Sequence, residues 1–399
     1  MAARSHLRIV TTGLAVTYPL GGVFWDYLQY ALGFARLGHE VLYLEDSGKW
    51  CYDPAAATFV ESGAHNAAWF AREIPKLDAA LAERWFFRDP AGQTWGWDWA
   101  RVVEFCRSAD LFVHISASCA MRDEYYAAHR RAFIDSDPMF TQASIPDYVA
   151  GRLGRDDPAR QRVEMIRAHD VHFTFGENIS APDCRIPRAL FDWIPTRQPI
   201  VLECFGGAGV ALAARRRVLT TVMSWEAAEK GPTVEGVSYG SKGQEFKRFI
   251  ALAERAALPL EIAISGKAPR DELKARGWRL VEAPTVSGDP WSYRDYLAHS
   301  FGEWSVAKNA YVDSRSGWFS CRSACYLALG VPVMVQDTGF GCALPSGAGI
   351  LKFSTLDEAQ AAIAALAADP ERHGRAARAI AREYFDSGKV LARLIDQAS

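Results

Sequence analysis

The sequence predicts an α/β protein built as two parallel-sheet domains. Three observations carry this: the chain length, a strand–helix–strand opening, and a restart of that pattern near mid-chain. At 399 residues the chain exceeds the ~250–300 at which one core stops growing, and it suits two. Leu7–Thr12 is a short apolar and β-branched run, followed by a loop over 13–22. Val23–Leu37 then carries apolar residues at helical spacing, Gly38 stops that helix, and Glu40–Leu44 reads as a second strand. A βαβ opening of this kind feeds a parallel sheet with helices on its faces.

The alternation continues. A helix around Trp99–Cys106 precedes strands at Leu111–Ser116, Ala132–Ile134, Val171–Phe175 and Ile200–Phe205. After Phe205 the pattern begins again with a strand at Val218–Trp225, a polar loop over 226–242, a helix at Phe246–Ala257 and a strand at Leu260–Ser265. Trp278–Glu282 is a further strand, and a helix lies near Trp291–His299. Ser320–Leu329 is predicted helical and runs through Gly330 into a buried strand, Val331–Val335, before the amphipathic helices Leu356–Ala368 and Pro370–Ile395. The expected division is a first domain over 1–205, a linker over 206–217, a second domain over 218–380 and a helix over 381–399 that packs across both.

Composition narrows the function classes. Hydrophobic residues at 49% and charged residues at 23% exclude wholesale disorder. A net charge of −2 lacks the basic excess of a dedicated nucleic-acid binder. No apolar run approaches the ~18–20 residues of a membrane span. Arg4 and Arg8 precede an apolar stretch, but Thr11, Thr12 and Gly13 interrupt it and no small-residue cleavage site follows. The 8 cysteines are scattered without a CxxC pair. In a chain this long that pattern predicts reduced thiols in a cytoplasmic protein rather than a disulfide framework or a zinc site. A monomer or homodimer is expected.

Ligands of doubly wound sheets bind beyond the carboxyl ends of the strands, so strand-end loops hold the candidate sites. The richest loop runs from Asp313 to Ser323 into a helix. Its Ser316, Gly317, Ser320 and Ser323 allow backbone N–H groups to face outward, the helix N-terminus adds partial positive charge, and Arg322 adds a full one. Together they form a pyrophosphate cradle. The alternative is a helix merely capped by Ser316 or Ser320. Lys242, in Gly240-Ser241-Lys242-Gly243, would be a mobile cation beside the same phosphates, or else an exposed lysine in a turn. Ser265 and Gly266 end the next strand. Asp337 and Thr338 follow Val331–Val335 and are placed to bind sugar hydroxyls.

The stretch Ser314–Gly341, with Ser-Gly-Trp-Phe-Ser-Cys-Arg-Ser opening a helix, Ala-Leu-Gly-Val-Pro-Val-Met-Val and then Asp-Thr-Gly, resembles the donor-binding segment of GT-B glycosyltransferases. Lys242-Gly243 before an apolar helix resembles the Lys-Gly turn of the same domain. The likeness covers most of residues 218–399 and, more weakly, Leu7–Asp46. It implies two Rossmann-like domains facing across a cleft, with C-terminal helices crossing back. A nucleoside-diphosphate sugar of UDP or TDP type would be held by the second domain, and a small-molecule acceptor by the first. Many retaining members carry two glutamates around the cradle; the matching positions here are Gly317 and Cys325. That departure favours an inverting transfer, in which a base on the first domain deprotonates the acceptor. Helix dipole, Arg322 and Lys242 would neutralise the leaving group, so no metal is expected.

Asp135-Ser136-Asp137-Pro138 follows Ala132–Ile134, making Asp137 or Asp135 a candidate base, with an Asp turn closed by Pro138 as the structural alternative. Glu177, after Val171–Phe175, is a rival. Gly21 and Gly22 would let backbone approach the acceptor, with Trp25 and Asp26 close behind. Trp95 and Trp97, within an aromatic run that begins at Trp85, are candidates for an acceptor wall, although spacing of two equally describes one buried strand face.

Three competing readings remain at this level. A nucleotide-sugar epimerase would use the same cradle without an acceptor. A non-catalytic nucleotide- or glycan-binding protein would keep the fold without turnover. An NAD-dependent oxidoreductase would use Gly207-Ala208-Gly209 after the strand Ile200–Phe205, with Glu226 about twenty residues on, but Leu212 replaces the third glycine.

Overall fold

A computed structural model describes residues 6–225 and 231–399. Arg4 and Glu226 lie outside the described residues. Two sheets dominate. The first contains β1 (Arg8–Thr12), β2 (Glu40–Glu45), β3 (Trp85–Arg88), β4 (Thr94–Gly96), β5 (Leu111–Ile115), β6 (Arg130–Asp135), β7 (Val171–Thr174) and β8 (Trp193–Pro195). Their spatial order is β8-β7-β6-β5-β1-β2-β3-β4. Every neighbouring pair is parallel except β3 with β4. The central strands are apolar along their whole length because helices cover both faces: all of Leu-Phe-Val-His-Ile in β5 is buried. Helix α1 (Gly21–Arg36) crosses from β1 to β2, and α2 (Trp99–Ser108) leads into β5. The winding reverses between β1 and β5, which opens a crevice at the carboxyl ends of these strands.

The second sheet contains β9 (Arg216–Ser224), β10 (Leu260–Ser265), β11 (Arg279–Glu282), β12 (Ser300–Ser305), β13 (Val333–Gln336) and β14 (Ile350–Phe353). It is fully parallel, in the order β11-β10-β9-β12-β13-β14. Its own reversal lies between β9 and β12. Around it stand α3 (Lys242–Lys247), α4 (Pro290–Ala298), α5 (Cys321–Ala328), α6 (Leu356–Ala368) and α7 (Pro370–Ile380). The π-helical turn Ala381–Phe385 then passes into the last helix, α8 (Ser387–Ala398), whose start is capped by the Asp386 carboxylate on the Gly388 amide at 2.8 Å. α8 returns to the first sheet. Leu391 and Ser387 lie against Gly33 of α1, and the Arg130 guanidinium on β6 donates to the Ala398 carbonyl at 3.0 Å.

The halves share a core. One buried cluster runs from Ile9, Phe24 and Trp25 of the first to Tyr293, Leu297, Val333 and Ile350 of the second. A second cluster, centred on Phe246, Trp278, Trp304 and Phe353, belongs to the second domain alone.

Three expected elements differ, one being the helix Pro370–Ile395, which the π-helical turn and Asp386 divide into α7 and α8. Ile200–Phe205 is not a strand: Leu202–Gly206 is a short helix, and the sole ladder contact is a bridge between Ile200 and Asp386. Ile200, Val201 and Phe205 are buried because they fill the junction between the halves. A short apolar run reads the same in either setting. The helix expected over Phe246–Ala257 is instead α3 followed by a 3₁₀ turn at Ile250–Glu254.

Candidate active site

Both reversals of winding open into one cleft of about 940 Å³ between the sheets. The β1–α1 loop contributes Leu14 and Leu20, α1 contributes Gly22 and Asp26, and the ends of β5 and β6 contribute Ser116 and Asp137. The facing wall carries Lys242, Lys308, Trp318, Ser320 and Arg322.

The second-domain wall is built around the start of α5. Ser320 takes the extended backbone of an N-cap, yet no side chain bonds across the first turn. The leading amides of α5 are therefore left for a ligand, at the positive end of the helix dipole. Arg322, in that first turn, is not a free cation. Its Nε donates to Glu303 Oε1, one terminal nitrogen to the Val222 carbonyl and the other to Ser305 Oγ, each at 2.7 Å. Glu303 on β12 is fully buried, so the pair is an internal ion pair with one edge on the cleft. Lys242 opens α3 and has no side-chain hydrogen-bond partner among the described residues. Its ammonium is pushed down to about 7 by burial, with the nearby charges of Arg322 and Lys308 acting in the same direction. Glu303 and Asp137 oppose that shift only in part, so an anion placed there would favour the charged lysine.

On the first-domain wall the acidic residues lining the cleft are Asp26 and Asp137. Asp26 lies on α1 one turn after Gly22 and Val23, which also line the cleft, as does the adjacent Tyr27. Its carboxylate accepts no hydrogen bond from the described residues. Burial pushes it up to about 7, and the charge of Arg322 across the cleft offsets only part of that rise. Asp137, after β6, is more open to solvent and forms an ion pair with Lys308 of the other domain at 2.8 and 3.0 Å.

No sequence-family profile matches the chain, and no curated protein matches it in sequence. Its architecture does have counterparts. An α-glucosyltransferase solved with UDP and a 13-mer DNA containing an HMU base aligns over 98% of this chain and 99% of its own, at 10% identity and a TM-score of 0.58. AviGT4, a glycosyltransferase involved in avilamycin A biosynthesis, aligns over 98% and 97%, at 14% identity and a TM-score of 0.52. Anabaena Alr3699/HepE, solved with UDP, aligns over 98% and 99%, at 10% identity and a TM-score of 0.54. The chain has the GT-B fold.

Within this GT-B frame the residues singled out from sequence fall into three groups. Lys242, Ser320, Arg322, Gly22 and Asp137 line the cleft. Others support its walls from behind. Ser316 is buried, donating to the Tyr311 carbonyl at 3.2 Å and accepting from the Trp318 amide at 3.2 Å. Gly317 holds φ +79°, and a Cβ there would collide with the Asn178 amide nitrogen. Ser323 is fully buried. Thr338 donates to the Trp318 carbonyl at 2.6 Å, and Asp337 accepts from the Gly339 amide at 2.8 Å while facing Lys352. Gly21 packs directly against Tyr293 and the Asp289 carbonyl of the second domain, so its missing side chain permits domain contact rather than ligand approach. Trp25 is fully buried in that contact, donating to the Pro290 carbonyl at 2.9 Å.

The third group lies away from the cleft lining. Asp135 is fully buried, holding Thr141 Oγ1 at 2.6 Å, Thr174 Oγ1 at 2.7 Å and Gln142 Nε2 at 2.6 Å. It also accepts the Asp137 amide at 3.0 Å, so it shapes the strand-end turn and has no free lone pair toward substrate. Glu177 is paired with Arg197 in a separate cavity of about 510 Å³ that α8 helps to line. Ser265 and Gly266 end β10, outside the cleft lining. Trp95 stacks on Phe87 with ring centroids 5.5 Å apart, and Trp97 is buried with its indole N–H on the Glu83 carbonyl at 2.6 Å. Both belong to the β3–β4 edge, where spacing of two marks packing. Gly207-Ala208-Gly209 follows a helix, not a strand, which removes the dinucleotide fingerprint. Asp26, which sequence reasoning did not single out as a base, is a cleft-lining carboxyl. Its signal was a carboxylate on the α1 face shared with Gly22 and Val23.

Among the described residues no group of three or more His, Cys, Asp or Glu side chains is placed to hold a metal. None of their helices is long and apolar enough to cross a membrane.

Proposed function

We propose that the protein transfers a sugar from a nucleoside-diphosphate sugar to an acceptor hydroxyl, with inversion at the anomeric carbon. The observation that carries this reading is the pairing of walls: an uncapped helix start with a neutral-leaning lysine faces a carboxylate tuned to about 7. The first wall suits a diphosphate, the second removes a proton near neutral pH. Uridine is the favoured base, since the α-glucosyltransferase and HepE were solved with UDP.

In this scheme the diphosphate lies over the first amides of α5, with Lys242 and Lys308 beside it. Asp26 takes the acceptor proton as the acceptor oxygen attacks the anomeric carbon and the C–O bond to the diphosphate breaks. Lys242, once protonated, stabilises the departing charge. Gly317 leaves no room for a side chain and Cys325 is a buried thiol. A nucleophilic carboxylate beside the donor therefore has no position there, which supports inversion. The protein's own cations meet the leaving-group charge, so transfer is expected to persist in EDTA. A cytoplasmic location is supported by eight free cysteines.

A thermal-shift panel of UDP, TDP, GDP and ADP tests the donor reading: one nucleotide should raise the melting temperature. Proton NMR of product formed from the matching α-linked sugar nucleotide tests the stereochemistry. Stabilisation by none of the four would remove the donor assignment, and a product of retained configuration would remove the role of Asp26. An epimerised donor without acceptor transfer would favour the isomerase reading.

A further inference from the structure

The first-domain lining of the cleft carries two cations that the transfer scheme leaves unused. Lys49 follows β2, and Arg162 lies on the helix Pro158–Arg167. Pro158, Gln161, Arg162 and Met165 face the cleft together, at the spacing that places residues on one side of a helix. Neither side chain has a hydrogen-bond or carboxylate partner among the described residues. Other arginines of that helix are satisfied: Arg160 bonds Glu164 at 2.8 Å and Arg167 bonds the Tyr148 hydroxyl at 2.8 Å.

The two cations also feel each other. The Lys49 ammonium is held below its ordinary range by burial and then by the charge of Arg162. Two like charges lining one cleft, with no carboxylate partner among the described residues, suit an anion, because an incoming acid relieves their repulsion. Phe133, Phe140 and Met165 line the same cleft. That lining suits an apolar or aromatic body.

Resting on the transfer reading of the same cleft, we infer that the acceptor is an acid. It is a hydroxyl compound with an apolar or aromatic body, whose carboxylate or phosphate is held by Lys49 and Arg162 while its hydroxyl faces Asp26. The full chain, saturated with UDP, would be titrated calorimetrically at low salt with 4-hydroxyphenylacetate, 4-hydroxyphenyl phosphate and the neutral 4-hydroxyphenylacetamide. At least one acid should bind about tenfold tighter than the amide, and the tighter of the two identifies the group. The preference should vanish in the double variant Lys49→Ala/Arg162→Ala, persist in Lys49→Arg, and weaken with added salt, while the UDP affinity of each variant stays as in the wild type. Equal affinity for acids and amide, no measurable affinity for any of the three, or a preference that survives the double variant overturns the proposal. So does a double variant with weakened UDP binding, which would put these cations on the donor. Failure of the wild type to bind UDP would instead strike the transfer reading, because acid preference is also measurable without nucleotide.

Discussion

Replacing Asp26 by Asn should make the protein more stable and less active, and the stability gain should depend on pH. A carboxyl moved from its ordinary 3.8 to about 7 is one whose proton the folded state holds more tightly than the unfolded state does. At about 1.36 kcal/mol per pH unit this is at most ~4 kcal/mol, and solvent entering the cleft reduces it to roughly 2 kcal/mol. The sign follows from linkage. Below the unfolded value both states are protonated and the cost is absent; it grows as pH rises and is complete above about 7. Asn removes the charge, so its gain should be larger at pH 8 than at pH 5, by about 1 kcal/mol. In thermal melts this appears as a few degrees at pH 8. The same substitution should lower kcat by about 10²–10⁴-fold, since an amide takes no proton. In the wild type, kcat/KM should rise with pH up to about 7 as Asp26 ionises. A variant as active as wild type, or one whose stability changes equally at both pH values, would refute the assignment of Asp26 as a desolvated base.

Other residues give equally direct tests. Lys242→Ala should weaken UDP binding by about 10–100-fold. In the wild type the lysine, at about 7 when free, takes up a proton as the diphosphate arrives, so UDP affinity should fall as pH rises above 7. Calorimetry in buffers of different ionisation enthalpy measures that uptake, which the Ala variant should lack. Arg322→Ala strands the buried Glu303 carboxylate, so a loss of about 3–5 kcal/mol in denaturant unfolding is expected besides any loss of donor use. Normal stability would show that the pair contributes little. Gly317→Ala, which forces a side chain against Asn178 at positive φ, should cost about 1–3 kcal/mol in the same assay. An unaltered midpoint would mean that this turn readily rearranges.

The proposed cradle was legible because its residues are local in sequence. A serine-rich turn entering a helix after a strand places backbone amides and Arg322 together whatever surrounds them, and Lys242 stands at the start of another helix in the same half. Asp137 was legible for a similar reason, as a carboxylate at a strand end. The strand-end rule also selected Glu177, which the fold turns toward Arg197 and α8. Asp135 failed differently: its position was right, but Thr141, Gln142 and Thr174 consume its oxygens. Those partners lie up to 39 residues away, beyond any local pattern.

Chain length, the βαβ rhythm and its restart determined a two-sheet α/β protein, because hydrophobic periodicity is set residue by residue and needs no tertiary information. Charge and cysteine usage likewise follow from composition. Which residues meet across the cleft was decided only by assembly. The Asp26 carboxyl is pushed up because assembly buries it in a cleft that second-domain residues such as Tyr293 also line, while Arg322 offsets only part of that rise. Arg322 itself loses its freedom because Glu303 on β12 claims it. Trp25 becomes an interdomain anchor once Pro290 and Trp291 cover it. Desolvation and charge pairing depend on distances between elements remote in the chain, so sequence can name these groups but not the roles that their surroundings assign.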